Sequence, residues 1–105
     1  MFTRVVSVQA QRDKLDEAIA ICQAMEPLWQ QQRGFRQADL LVDRSTGKVL
    51  SLSTWATRED LDATEASGWY QEQLAKFATT WIAPPVRDIY DVAVHVEAAR
   101  AVGGA

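Results

Sequence analysis

A chain of 105 residues with a formal net charge of -3, 48% apolar and 24% charged, has the size and balance of one ordinary globular domain. No basic run interleaved with aromatics marks a nucleic-acid footprint, and no stretch approaches the ~20 apolar residues of a membrane span. Cys22 is the only cysteine, which excludes an internal disulfide and a cysteine-built metal cage.

The N-terminus carries no signal-peptide pattern, so the expected location is the cytoplasm. A domain this small buries only about two-thirds of its unfolded surface, and a partner subunit commonly extends so modest a core. Four tryptophans are a large apolar supply for this length.

In chain order, Phe2 to Ala10 is rich in β-branched residues and reads as a first strand. Asp13 can cap the helix that follows, on which Leu15, Ala18, Ile19, Cys22, Met25 and Trp29 fall on one stripe. Pro27 predicts a kink or a weakened turn, with the helical end expected near Gln32. Gly34 suits the exit, because glycine accepts the left-handed conformation. Phe35 to Asp43 and Lys48 to Trp55 read as strands joined by Arg44-Ser45-Thr46-Gly47, an antiparallel hairpin. Thr57-Arg58-Glu59-Asp60 is a capping-box start for a short helix that carries Leu61 inward. Ser67-Gly68 restarts it, and Tyr70, Leu74, Phe77 and Trp81 form an amphipathic stripe. Pro84-Pro85 ends that helix before a last strand over 86–96. In that strand Val92, Val94 and Val96 face one side, and Asp91, Ala93 and His95 the other. The domain is placed at residues 1–97, and 98–105 is expected to be a flexible tail.

Strand, helix, strand, strand, helix, strand is the split βαβ, or ferredoxin-like, plan of the α+β class: a four-stranded antiparallel sheet with both helices on one face. Val5 and Val6, Leu40 to Val42, and Val49 and Leu50 are adjacent apolar residues, so both faces of the sheet are apolar. With helices for only one face, a second sheet is expected on the other, making a homodimer.

Ser53-Thr54-Trp55-Ala56-Thr57-Arg58-Glu59-Asp60-Leu61-Asp62-Ala63 resembles the antibiotic biosynthesis monooxygenase domain family, in which a strand ends in tryptophan before Arg-Glu-x-Leu-x-Ala. Gly34-Phe35 and Ser67-Gly68-Trp69-Tyr70 resemble it too, and the likeness spans about residues 2 to 96. The resemblance implies a dimeric α/β barrel of two ferredoxin-like sheets, with a small cavity in each subunit between sheet and helices. It also implies cofactor-independent monooxygenation of a small aromatic or polyketide-like substrate. The alternatives are a dimer that binds a small ligand without turning it over, and haem binding without degradation. The sequence departs from many relatives at Thr64 and Gly68-Trp69, and it contains no asparagine. Leu74 stands where the haem-degrading branch has a helical histidine, which argues against that route.

Cofactor-free oxygenation requires a dry pocket, help in removing a proton and a means of stabilising the anion that results. His95, the sole histidine, is the candidate base at the cavity or the dimer seam; it reads equally as a polar residue near a sheet end. Trp55, Trp69 and Tyr70 are candidate walls for a flat aromatic ligand, with Trp81 beside them, though Trp55 and Trp81 suit a plain core. Trp69, beside the stripe, suits a cavity mouth or a partner contact. Arg36 and Arg87, at strand starts, are candidates to hold a phenolate or carboxylate, or else solvated strand ends. Asp39 and Asp43 read as an exposed strand face. Glu59, Asp60, Asp62 and Glu65 favour the helix dipole, and without histidine nearby no metal site is assigned. Cys22, on an apolar stripe, reads as an inert thiol.

Overall fold

The computed structural model describes residues 1–99. Four strands, β1 (Phe2–Gln9), β2 (Phe35–Val42), β3 (Lys48–Trp55) and β4 (Val86–Asp91), form one sheet in the order β2-β3-β1-β4. Every neighbouring pair is antiparallel: β1 runs against β3 from Phe2–Trp55 to Gln9–Lys48 and against β4 from Phe2–Asp91 to Ser7–Val86. This is the expected ferredoxin-like α+β arrangement.

The β2–β3 hairpin turns where the sequence places it. The Asp43 carboxylate accepts from the Ser45 amide at 2.9 Å, the Ser45 hydroxyl at 2.7 Å and the Thr46 amide at 3.3 Å. Gly47 then takes φ +79°, a conformation open to glycine at little cost. A bulge opens where Phe35 faces Trp55 and Gln37 faces Thr54, leaving Arg36 as the extra residue.

Four helices cover one face: α1 (Leu15–Ala24), α2 (Glu26–Gln30), α3 (Arg58–Ala66) and α4 (Trp69–Ala75). The Thr57 hydroxyl caps α3 by accepting from the Asp60 amide at 3.1 Å, as its sequence predicts. Leu61 is fully buried, packed with Met25, Trp29 and Trp55. Gly68, at φ +83°, separates α3 from α4 and supplies the expected restart.

Two local expectations need correction, and a third is made more specific. Asp13 caps nothing; it lies inside a 3₁₀ turn, Arg12–Lys14, that leads into α1. Near Pro27 the helical run does weaken: α1 ends at Ala24, Met25 is a turn, and Pro27 stands in the first turn of α2, where no donated N–H is needed. The stripe from Tyr70 to Trp81 is not one helix: α4 stops at Ala75, a 3₁₀ turn spans Ala78–Thr80, and Trp81 pairs with Ala10 in an isolated β-bridge. The bridge is reinforced when the Ile82 amide donates to the Gln9 carbonyl at 2.8 Å.

The last strand is also shorter than expected. β4 ends at Asp91, and beyond a bond from the Val92 amide to the Met1 carbonyl at 2.9 Å no ladder continues. β1, its only partner, begins at Phe2, so the chain beyond Asp91 has no strand left to pair with. Val94 and Val96 are 80% and 84% exposed. Of the expected tail, Ala98 and Ala99 have no regular structure, and 100–105 lie outside the described residues.

Strand alternation separates two faces. Arg4, Val6, Val49, Ser53 and Trp55 point beneath the helices and are buried. Val5, Leu50 and Leu52 share the opposite face, where Leu41, Val86 and Tyr90 are at least half exposed.

Candidate functional site

A cavity lies between the inner face of the sheet and the helices. Its floor is Arg4, Val6, Val8 and Ala10 of β1, with Leu40, Val49 and Ser51 from the neighbouring strands. Ala18, Met25 and Trp29 close one side, and Trp69, Tyr70, Gln73, Leu74, Phe77, Thr80 and Trp81 the other. The void admits the centres of water-sized molecules over about 60 Å³. One water needs about 10–15 Å³ on that measure, so there is room for several waters or one small ring.

The walls are aromatic and interlocked. Phe35 stacks on Trp29 at 6.2 Å and meets Trp55 edge-on at 5.6 Å, and Trp55 meets Trp69 edge-on at 6.5 Å. Edge-to-face pairs of this kind fix ring positions as well as burying area. The Trp55 indole N–H, sealed from water, donates to the Ser53 hydroxyl at 3.1 Å.

One charge enters this apolar setting. Arg4 is 3% exposed, and its guanidinium lies 4.0 Å from the Tyr70 ring centroid and 5.8 Å from that of Trp55. Its Nη1 donates to the Thr64 hydroxyl at 3.0 Å and to the Glu65 carboxylate at 3.1 Å. Thr64 in turn donates to the Leu61 carbonyl at 2.7 Å, which fixes the direction of its free lone pair. Arg87 of β4 approaches the other Glu65 oxygen at 3.5 Å. Burial pulls the Arg4 guanidinium below the usual arginine value, and the Glu65 carboxylate opposes that pull. Arginine begins so high that it stays charged at neutral pH. Burial pushes the Tyr70 phenol up, with Arg4 acting in the other direction. Tyr70 is therefore a neutral hydroxyl at neutral pH, not a base.

The residues singled out from the sequence divide between two faces. Trp69 and Tyr70 line the cavity, and so does Trp81. Trp55 is completely buried behind it, in contact with Trp69 and Phe35. Arg36 and His95 do not join them; both border a second depression, on the opposite face, with Thr3, Asp39, Leu52 and Thr54. His95 is exposed there, its Nε2 3.1 Å from the Glu97 carboxylate. Arg87 reaches the site indirectly, through Glu65. Cys22 is half-buried, and burial alone pushes its thiol up. Among the described residues no cluster of three or more His, Cys, Asp or Glu side chains could ligate a metal.

Arg4, Gln73, Ser51 and Thr80 line the cavity without having been expected there. For Arg4 a signal exists: it alternates with Val6 and Val8 on the inner face of a strand, a charge at an apolar register position. Its partners Thr64 and Glu65 follow Leu61 by one helical turn. Gln73, 6% exposed, follows Tyr70 by three residues on α4, so helical spacing alone puts it on the same inward face as Tyr70 and Leu74.

The chain is thus a ferredoxin-like domain with an aromatic cavity between sheet and helices. The sequence profile of the antibiotic biosynthesis monooxygenases matches residues 1–76, and the chain belongs to that family. Comparison with curated protein sequences finds no match. Solved structures share the fold. A Nitrosomonas europaea protein bearing the same family name superposes with a TM-score of 0.71 at 17% identity, over 87% of this chain and 97% of its own. Rv0793 from Mycobacterium tuberculosis gives 0.69 at 19% identity, over 93% and 98%. SnoaB of Streptomyces nogalater, a cofactor-independent oxygenase solved as its N63A mutant, gives 0.72 at 11% identity, over 90% and 95%. No helix among the described residues is long and apolar enough to cross a membrane.

Proposed function

We propose that this protein is a cofactor-independent monooxygenase that holds a small aromatic or polyketide-like substrate in the cavity and works as a cytoplasmic homodimer. The observation that carries the reading is the cavity itself: aromatic walls, few polar groups, and one buried guanidinium at its edge. Family membership and the likeness to a cofactor-independent oxygenase support it by analogy of fold. Trp69 and Tyr70 present ring faces and edges to a flat ligand, and Trp55 keeps Trp69 in place. The substrate, as a resonance-stabilised anion, supplies the electrons. Oxygen adds at the activated carbon, one oxygen atom stays as a carbonyl and the other leaves as water, so a methylene loses four electrons and dioxygen gains four. The protein contributes a dry site and a fixed positive charge.

The uncovered sheet face supports the dimer. Leu41, Val86 and Tyr90 are 50%, 59% and 56% exposed on it, alongside Val5, Leu50 and Leu52. Apolar area of this kind stabilises association by about 25 cal/mol per Å² before ordering costs. His95 and Arg36 enter the reading at that seam, where a covering partner would meet them. A monomer at micromolar concentration in sedimentation analysis would refute the dimer.

The decisive assay is oxygen uptake with a panel of hydroquinones and anthrones, without added metal or flavin. Uptake above the buffer blank, reduced by Tyr70→Phe or Trp69→Ala, is the expected result. Binding of the same compounds without uptake would instead establish a non-catalytic ligand-binding dimer. One observation favours that second reading: among the described residues every sealed polar side-chain atom already has a partner.

A further inference from the structure

Arg4 has more donors than the fold uses. Nη1 alone makes both of its hydrogen bonds, to Thr64 and Glu65. Among the described residues, Nε and Nη2 have no partner. Every side-chain nitrogen or oxygen sealed from solvent does have one. These two groups therefore keep some accessible surface, and Arg4 is one of the residues that line the cavity.

The local charge does not cancel either. Two guanidinium groups, Arg4 and Arg87, share one carboxylate, Glu65, which leaves one positive charge in excess. The guanidinium carbon lies 4.0 Å from the Tyr70 ring centroid, a cation–π contact that helps to hold the charge in place. In so apolar a place a charge-assisted hydrogen bond is stronger than in water.

The cavity also lacks a group to take a proton from a ligand. No aspartate, glutamate or histidine is among its described lining residues, and its ionisable members are a protonated arginine and a neutral phenol. We propose that the cavity selects ligands that are already ionised, and that Arg4 is the substrate-binding residue, pairing through Nε and Nη2 with one anionic oxygen group on an aromatic body. The substrate class is thus an aromatic carboxylate, phenolate or enolate whose proton is lost before it enters. This deepens the oxygenase reading and rests on it only for the aromatic body. Glu65 has a second role here, because the charge that keeps Arg4 stable while the cavity is empty also competes with the ligand's anion.

The test is equilibrium dialysis of the purified full chain at pH 7.5 against matched single-ring pairs, benzoate with benzamide and 4-methylbenzoate with 4-methylbenzamide. Each acid should bind about tenfold or more tightly than its amide. Arg4→Met should bring each pair to within about twofold by weakening only the acid, since the variant keeps the apolar stem. Glu65→Gln should act in the opposite direction, strengthening the acid severalfold and leaving the amide unchanged. That second variant decides the matter even where Arg4→Met fails to fold. Equal affinities within both pairs, no binding of either acid at millimolar concentration, or no gain for the acid in Glu65→Gln would overturn the inference. Dialysis needs no turnover, so the two proposals fail separately. Acid preference without oxygen uptake sinks the oxygenase alone, and uptake with acid and amide bound alike sinks the anion site alone.

Discussion

Gly34 offers a quantitative test of how the cavity's outer wall is held. It sits at φ +78° between α2 and β2, and its carbonyl accepts from the Ala56 amide at 2.8 Å, tying the start of β2 to the end of β3. A Cβ at this position would overlap the Asp60 carboxyl and lie 2.6 Å from Asp60 Cβ, which no rotation of that side chain relieves. In Gly34→Ala the left-handed conformation costs about 1–2 kcal/mol for a residue with a Cβ. Crowding against α3 adds about 1–3 kcal/mol, as overpacking does elsewhere. Reduced freedom of the unfolded chain returns about 0.4–1 kcal/mol. The sum is a destabilisation of about 1–4.6 kcal/mol. Urea titration of wild type, Gly34→Ala, Asp60→Gly and the double variant separates the two contributions. Removing the Asp60 side chain eliminates the crowding but neither the backbone cost nor the unfolded-chain effect, so Gly34→Ala should cost at most about 1.6 kcal/mol in the Asp60→Gly background. A single-variant loss below about 0.5 kcal/mol, or an equal loss in both backgrounds, would refute the account.

Two further outcomes follow from local electrostatics. The Asp43 carboxyl is held below its ordinary value of 3.8, first by the Ser45 hydroxyl and then by the turn amides. A depressed carboxylate stabilises the fold above its unfolded value and loses that contribution as pH falls through its folded one. The stability gap between wild type and Asp43→Ala should therefore be full at pH 7 and shrink below about pH 3.8 in acid-titrated urea melts; a gap that grows on acidification would contradict it. Burial pushes the Cys22 thiol up, which lowers its thiolate fraction. Ellman's reagent at pH 8 should react with the native protein more slowly than with glutathione and reach the glutathione rate in urea; equal native and unfolded rates would show an open thiol.

The order of elements was legible in the chain because each has a local cause. Thr57 caps α3 with its own hydroxyl, Asp43 and Gly47 shape the hairpin, and Gly68 breaks one helix and begins the next. Alternation put Val5 and Val6, and Val49 and Leu50, on opposite faces, which is why a second apolar face could be expected; the packing then turns Val6 and Val49 inward. The family was legible for a related reason: the run through Trp55 and Leu61 contains the two most deeply buried apolar side chains, where the fold tolerates little change.

Other features have no local cause. Tyr70, Leu74, Phe77 and Trp81 are spaced for one helix, yet the backbone leaves it after Ala75 so that Trp81 can pair with Ala10. The four side chains still share the cavity, because the bend preserves the face while changing the path. The length of β4 was likewise undecided by Val92, Val94 and Val96, since a strand ends where its partner does. Most of all, the site charge was hidden. Arg4, Thr64, Glu65 and Arg87 come from three separate elements, and a salt bridge across some sixty positions leaves no periodicity to read. The sequence alone determined the strands, caps, turns and the apolar faces, which arise from interactions a few residues long. Only the tertiary structure decided which charge is buried beneath those faces and which of its donors remain open, because desolvation and pairing depend on everything packed around the group.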